Sequence, residues 1–245
     1  MRHRFVVRGV LLAVAALSCS LPRASADLIL GWEFNGNTGS EVSVNATTNL
    51  LGSPVAVTRG SGLTASALAN AFSSDSWTNG GTVGNATANG EYFEFGFTVP
   101  DNYLLSLSTL DANFRRSGNG PSTFLWQYSL GGSFFDIGTN IIYTSSASTG
   151  TNMNDVLLSG ITSLQNIAAG TDVTFRLLGA SAGSSGTFAF GRLAGNDLSL
   201  DGTFTAVPEP GTMTLCGLGA AGMFGGRAWR RRRSEKSATT AETAR

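Results

Sequence analysis

The carboxylates carry most of the chemistry available to the body of this sequence, residues 27–206. The body contains no His, Cys or Lys. Their absence excludes Ser-His-Asp and Cys-His nucleophiles, His/Cys metal sites and Schiff-base lysines. The body also has no GxGxxG or GxxxxGK[ST] motif to cradle phosphates, so nucleotide use is not expected.

Paired carboxylates can hydrolyse glycosides, because one protonates the leaving oxygen while the other acts as nucleophile or base. Glu91 and Glu94 are the nearest such pair in sequence. Three residues apart on a strand, they point to opposite faces. We therefore expect no enzyme, and a carboxylate-based glycoside hydrolase is the less favoured alternative.

Oxygen-only ligation of a structural Ca²⁺ suits a body without His and Cys. Glu33 lies on the first predicted strand, and Asp197 and Asp201 lie near the last. They are candidate metal ligands if these two strands pair. The sequence has no EF-type loop, so the hypothesis depends on that pairing.

Trp77, in the segment SDSWTNGG, is the one tryptophan of the body that no strand alternation explains. An exposed tryptophan can stack on a sugar ring while nearby Asn, Asp and Arg bond the hydroxyls. Trp77 is therefore the candidate ligand-binding residue. A loop residue that folds back over the edge of the core is an equal alternative.

The elements that must position these residues are short strands. In EYFEFGFTV (91–99), Phe93, Phe95 and Phe97 alternate with polar residues, which is typical of a half-buried strand. Residues 60–90 look like loop, and 161–170 predict a single helical turn. The other predicted strands are 28–34, 55–59, 103–110, 112–116, 124–130, 134–138, 172–179, 187–193 and 197–204. About ten strands with Gly-rich connections predict an all-β fold, an antiparallel β-sandwich of jelly-roll type.

The two ends of the chain are basic and the body is acidic. Residues 27–210 hold 14 acidic residues and five arginines, a net charge of −9, so nucleic-acid binding is not expected. Residues 1–26 begin with arginines, continue through an apolar run and end in Ala24-Ser25-Ala26. This order predicts a secretory signal peptide with cleavage between Ala26 and Asp27, and the apolar run is short for the alternative, a permanent N-terminal anchor.

Residues 207–233 predict a membrane segment. Pro208 and Pro210 forbid a regular helix or central strand across them. Residues 211–226 carry no charge, and as a helix they would span ~24 Å, short for a permanent anchor. A basic anchor follows this apolar segment. It is expected to keep the C-terminal end of the chain in the cytoplasm, together with a polar tail at 234–245. Its members are Arg227, Arg230, Arg231, Arg232 and Arg233.

The order of Pro208-Glu209-Pro210, apolar segment and arginine block resembles the PEP-CTERM sorting signal. The resemblance implies recognition by exosortase, a membrane-embedded transpeptidase-like enzyme, with cleavage near the tripeptide. The body would pass through an inner-membrane intermediate to the cell envelope, surface or extracellular matrix. Proteins of this kind are often associated with exopolysaccharide.

The body from about residue 90 to 205 resembles a β-sandwich module that recurs in secreted bacterial proteins and has no settled activity. The matching segments are Arg115–Gly118, Trp126–Ser129, Gly191–Leu193 and Asn196–Leu198. The resemblance implies a fold and no reaction. We expect Arg115 and Arg116 to lie at a solvated strand end, paired with acidic residues.

Together these features predict an exported, exosortase-sorted surface or matrix protein with a non-catalytic body. Its role would be structural or adhesive, with exopolysaccharide or other glycans as candidate ligands. A permanently membrane-anchored binding module is the alternative. No resident cofactor is expected beyond the Ca²⁺ already considered.

Overall fold

Short β-strands dominate the computed structural model, which describes residues 26–146, 148–183 and 186–207. The first strands are β1 (Asp27–Trp32), β2 (Val44–Asn45), β3 (Thr48–Asn49), β4 (Ala56–Arg59), β5 (Thr64–Ala65) and β6 (Ala71–Asp75). A helix, α1 (Val83–Asn89), precedes the longer strands β7 (Tyr92–Thr98), β8 (Tyr103–Arg116), β9 (Thr123–Ser129) and β10 (Phe135–Ile142). The last strands are β11 (Thr151–Asn152), β12 (Val156–Leu157), β13 (Asp172–Ala180), β14 (Phe188–Gly191) and β15 (Leu198–Ala206), with a 3₁₀ turn at Thr162–Leu164.

The strands form two antiparallel sheets that pack as a sandwich. In the described ranges, the first sheet has nine strands, with β3-β1-β15-β8-β14-β6-β5 in order and β11 and β12 paired to β8. The second has six, ordered β10-β9-β13-β7-β4-β2. The predicted all-β antiparallel sandwich is confirmed.

Aromatic side chains fill the space between the sheets. Phe93, Phe95 and Phe97 of β7 are all buried, as their alternation predicts. The rings of Trp32 and Phe95 lie 4.8 Å apart, and those of Phe124 and Phe188 lie 4.6 Å apart. Large aromatic surfaces of this kind supply most of the hydrophobic stabilisation in a body without disulfide-forming cysteines.

The structure differs from the sequence prediction in the short strands β2, β3, β11 and β12, which were not predicted, and in two longer regions. The segments 103–110 and 112–116 form one continuous strand of 14 residues, β8. The stretch 60–90, predicted as loop, contains β5, β6 and helix α1. Thr82 caps this helix in a capping box with Asn85, and Gly90 ends it with a φ of +72°.

Arg116 differs from its prediction as a solvated residue paired with acids. Only 6% of its surface is exposed. Its guanidinium donates hydrogen bonds to the carbonyl oxygens of Gly118, Gly120, Pro121 and Thr144 at 2.6–3.0 Å. Arg116 therefore holds the loop that follows β8, and burial lowers the pKa of its guanidinium.

Candidate functional site

Strand β15 carries the chain out of the sandwich. It lies between β1 and β8 and pairs with β8 as far as Ala206, opposite Tyr103. The Val207 N–H still donates to the Asn102 carbonyl oxygen at 2.8 Å. The hydrogen-bonded body thus extends to the residue immediately before Pro208.

Asp197 lies where β1 and β15 meet. The pairing of these strands, on which the calcium hypothesis depends, is confirmed by the Trp32–Leu198 register. Asp197 is 1% exposed, and its carboxylate accepts the backbone N–H groups of Phe34 at 3.1 Å and Leu193 at 3.2 Å. Burial raises the pKa of Asp197 to about 6, and the negative charge of Glu33 adds to this rise. The two backbone hydrogen bonds act in the opposite direction and lower the pKa.

The three candidate metal ligands divide between two places. Glu33 lies near Asp197, but its carboxylate accepts the N–H of Asn35 at 3.1 Å. Asp201 lies farther along β15, beside Thr109 of β8. In the described part of the chain, no three His, Cys, Asp or Glu side chains gather closely enough to hold a metal ion. Structural Ca²⁺ therefore stays an untested prediction.

Trp77 lies in the core. Its side chain is 6% exposed, and its indole N–H donates to the Ser74 carbonyl oxygen at 3.2 Å. The ring packs edge-on against Phe93 and Phe188, with both centroids 5.9 Å away. This position corrects the picture of an exposed stacking platform and fits the alternative, a loop residue that covers the core.

Glu91 and Glu94 lie in different environments. Glu91 is 3% exposed and accepts hydrogen bonds from the Thr78 backbone, the Thr78 hydroxyl and the Asn89 amide, which fixes the start of β7. Glu94 lies opposite Arg176 on the outer face of the six-stranded sheet. Burial raises the pKa of Glu94, while the Arg176 charge lowers it. Both residues have structural partners of their own.

A side groove of about 570 Å³ opens between β10 of one sheet and the β11–β12 segment of the other. Ile137, Ile141 and Met153 contribute apolar surface, whereas Asn154 and Asp155 are exposed polar residues of its wall. Burial raises the pKa of neighbouring Asp111, and Asp155 adds to that rise. The sequence patterns do not indicate this groove, because it forms only where strands of the two sheets meet.

Several predicted residues lie outside the described ranges. They are Ala24 of the cleavage site, the tripeptide Pro208, Glu209 and Pro210, and the arginines 227 and 230–233. Ala26 and Asp27, on either side of the predicted cleavage point, are both exposed, and Asp27 begins β1. Among the described residues, no helix has the length and hydropathy needed to cross a membrane. The predicted span at 211–226 is not among them.

Residues 206–233 match the model of the PEP-CTERM protein-sorting motif. The chain carries a PEP-CTERM sorting signal. This motif indicates export and sorting to the cell envelope, and it implies processing by exosortase. It begins at Ala206, the last residue of β15, so the PEP-CTERM segment follows the sandwich without a linker.

Comparison of the whole chain adds little to this. No curated protein matches it. Among solved structures, the carbohydrate-binding module TmCBM61 in complex with β-1,4-galactotriose aligns over 73% of this chain and 86% of its own. The identity is 13% and the TM-score 0.28, values that support no inference for this chain.

Proposed function

We propose that exosortase cleaves this protein near Pro208–Pro210 and releases the β-sandwich to the cell surface or extracellular matrix, where it has a structural or adhesive role. Before cleavage, the segment 211–226 crosses the inner membrane with its arginines on the cytoplasmic side. The body then lies on the opposite side. The alternative is a binding module that keeps this anchor permanently.

The observation that carries the proposal is the position of the motif directly behind β15. Every residue of β15 from Leu198 to Ala206 belongs to the nine-stranded sheet. The backbone hydrogen bond from Val207 is the last one before the tripeptide. A cut beyond Val207 therefore leaves every strand of the described body intact, with its hydrogen bonds.

Replacing the tripeptide tests the proposal. In cells with exosortase, we expect the wild-type protein in the surface or medium fraction and the P208A/E209A/P210A variant in the membrane fraction. T239A/T240A, in the polar tail, is the matched control and should behave as wild type. If mass spectrometry shows that the tripeptide variant is released with the same C-terminal residue number as the wild-type protein, the proposal is overturned.

The side groove favours a second, compatible function, the binding of hydroxyl-rich ligands such as glycans. Its volume lies in the range of small-molecule sites. Asn154 and Asp155 offer amide and carboxylate groups that bond hydroxyls. Phe135, 56% exposed at the start of β10, supplies an aromatic surface on the same strand.

A glycan array tests this binding. Asn154→Ala should lose the signals that the wild-type protein gives. Asn140→Ala, an exposed asparagine of β10 that does not line the groove, should retain them. Equal signals from both variants would remove the groove as the binding site.

A further inference from the structure

One end of the sandwich carries an apolar pocket of about 300 Å³, here called the apolar mouth. It is lined by Leu50, Leu51, Gly52, Pro100, Tyr103 and Phe204. The rings of Tyr103 and Phe204 form an edge contact with centroids 5.5 Å apart. The mouth lies at the end of β15 from which the chain leaves, since Tyr103 pairs with Ala206.

Three exposed hydrophobic side chains lie at this end. Leu50 is 54% exposed, Tyr103 41% and Val207 42%. In the described part of the chain, these are three of seven large hydrophobic residues that are exposed to this degree. Tyrosine with neighbouring aliphatic residues is typical of surfaces that rest at the level of lipid headgroups.

Both membrane-directed segments join the body at this end. Val207 is four residues from Gly211, the first residue of the predicted span, and four residues reach at most ~14 Å. The predicted signal peptide joins at Asp27, which pairs with Gly202, four residues before the end of β15. Because β1 runs antiparallel to β15, the chain before Asp27 approaches from the side on which β15 ends.

We propose that the apolar mouth rests on the lipid bilayer while the C-terminal segment is inserted, and that this contact orients the sandwich for cleavage. The inference depends on the proposed function, since it requires the inserted segment. The tether supplies a high local concentration of bilayer surface, so a small apolar patch is sufficient for contact.

The charges around the mouth select the kind of bilayer and favour release. Asp27, Asp101 and Asp172 are exposed at this end. The arginines of the described body lie elsewhere, at positions 59, 115, 116, 176 and 192. The mouth therefore prefers zwitterionic over anionic headgroups. Without the tether, so small a patch binds weakly, since even one acyl chain gives only marginal binding, and the cleaved body leaves the membrane.

Fluorescence quenching by spin-labelled lipids tests the contact, because the described body has no cysteine and single labels can be placed at will. The full-length protein, with Cys19→Ser throughout, is reconstituted in phosphatidylcholine–phosphatidylethanolamine nanodiscs. Ser53→Cys with Cys216→Ser places a label beside the mouth. Gly118→Cys with Cys216→Ser places one at the opposite end, where a Cβ meets no neighbour within 4 Å. Native Cys216, labelled alone, reports whether the C-terminal segment is inserted.

We expect headgroup spin labels to quench the Ser53→Cys label severalfold more than the Gly118→Cys label. Leu50→Ser with Tyr103→Ser should remove this difference, whereas Leu157→Ser, at a residue that is 70% exposed on the side groove, should preserve it. Phosphatidylglycerol in the nanodisc should weaken the quenching. Equal urea midpoints for the variants show that folding is unchanged.

The outcomes separate this inference from the proposed function. If acyl-chain spin labels fail to quench the Cys216 label, the segment is not inserted and the proposed function is wrong. If Cys216 is quenched and Ser53→Cys is not, the segment inserts but the mouth does not touch lipid, and this inference is overturned. If the Ser53→Cys label responds to protein concentration and not to lipid, a second copy covers the mouth, which also overturns it.

Discussion

The buried carboxyl of Asp197 predicts an unusual pH dependence of stability. Its folded-state pKa is raised from 3.8 to about 6, mainly because burial disfavours the charged form. The folded protein thus binds more protons than the unfolded chain between these values, and the free energy of unfolding falls as pH rises through that window. At 1.36 kcal/mol per pKa unit, the loss is at most about 3 kcal/mol between pH 4 and pH 7.

Asp197→Asn should remove this pH dependence. Near pH 4 the folded wild type holds a neutral carboxylic acid, whose two oxygens both face backbone N–H groups. The NH₂ group of asparagine cannot accept a hydrogen bond at either position, so near pH 4 the variant should be less stable by about 1–3 kcal/mol. Near pH 7 the free energies of unfolding of the two proteins should become similar, because the buried carboxyl of the wild type is then charged and destabilises the fold. Urea unfolding at a series of pH values measures both effects, with exposed Asp101→Asn as the control. If the free energies of unfolding of wild type and Asp197→Asn change in parallel across this window, the folded-state pKa of Asp197 is not raised.

Three further changes test the account of the fold. Trp77→Ala should lower the free energy of unfolding by about 3–5 kcal/mol, because it leaves a cavity beside Phe93 and Phe188. A loss under about 1 kcal/mol in urea unfolding would mean that Trp77 is not a core residue. Arg116→Ala should lower the free energy of unfolding by about 3 kcal/mol or more, since it leaves four carbonyl oxygens without their donor. The control Arg192→Ala loses one long hydrogen bond and should lower it by less than about 1 kcal/mol in the same assay. Ending the chain after Val207 should leave the circular dichroism spectrum and the thermal midpoint of the body unchanged, whereas ending it before Leu198 should abolish folding, because β15 joins β1 to β8.

The sequence was sufficient for the strands whose two faces differ. In β7, apolar and polar residues alternate, and the inner face is buried as predicted. In β9 the aromatic face is also buried as predicted, although Leu125 of the other face is buried too. The glycine pair Gly131-Gly132 also predicts the tight turn between β9 and β10, and Gly131 has the positive φ that such a turn requires. These features are local, so a single sequence contains them.

The sequence was not sufficient where burial depends on distant partners. Strand β6 contains Ser73 and Ser74, which are fully buried. The strand lies between β14 and β5, and the Arg59 side chain of the other sheet donates to the Ser73 carbonyl oxygen and the Ser74 hydroxyl. Trp77 has no periodic neighbours, so only the packed structure shows that it belongs to the core. In the sequence Arg116 is indistinguishable from a surface charge, because the four carbonyl oxygens that accept its hydrogen bonds are brought to it only by the fold. The side groove likewise arises from the way in which the two sheets meet.

The intact mass of the protein purified from the cell surface decides whether exosortase removes the C-terminal segment. We expect a chain that begins at Asp27 and ends close to Pro208–Pro210. The sandwich would then be complete, without the apolar segment and the arginines. A surface protein whose mass still includes residues 211–233 would contradict this expectation.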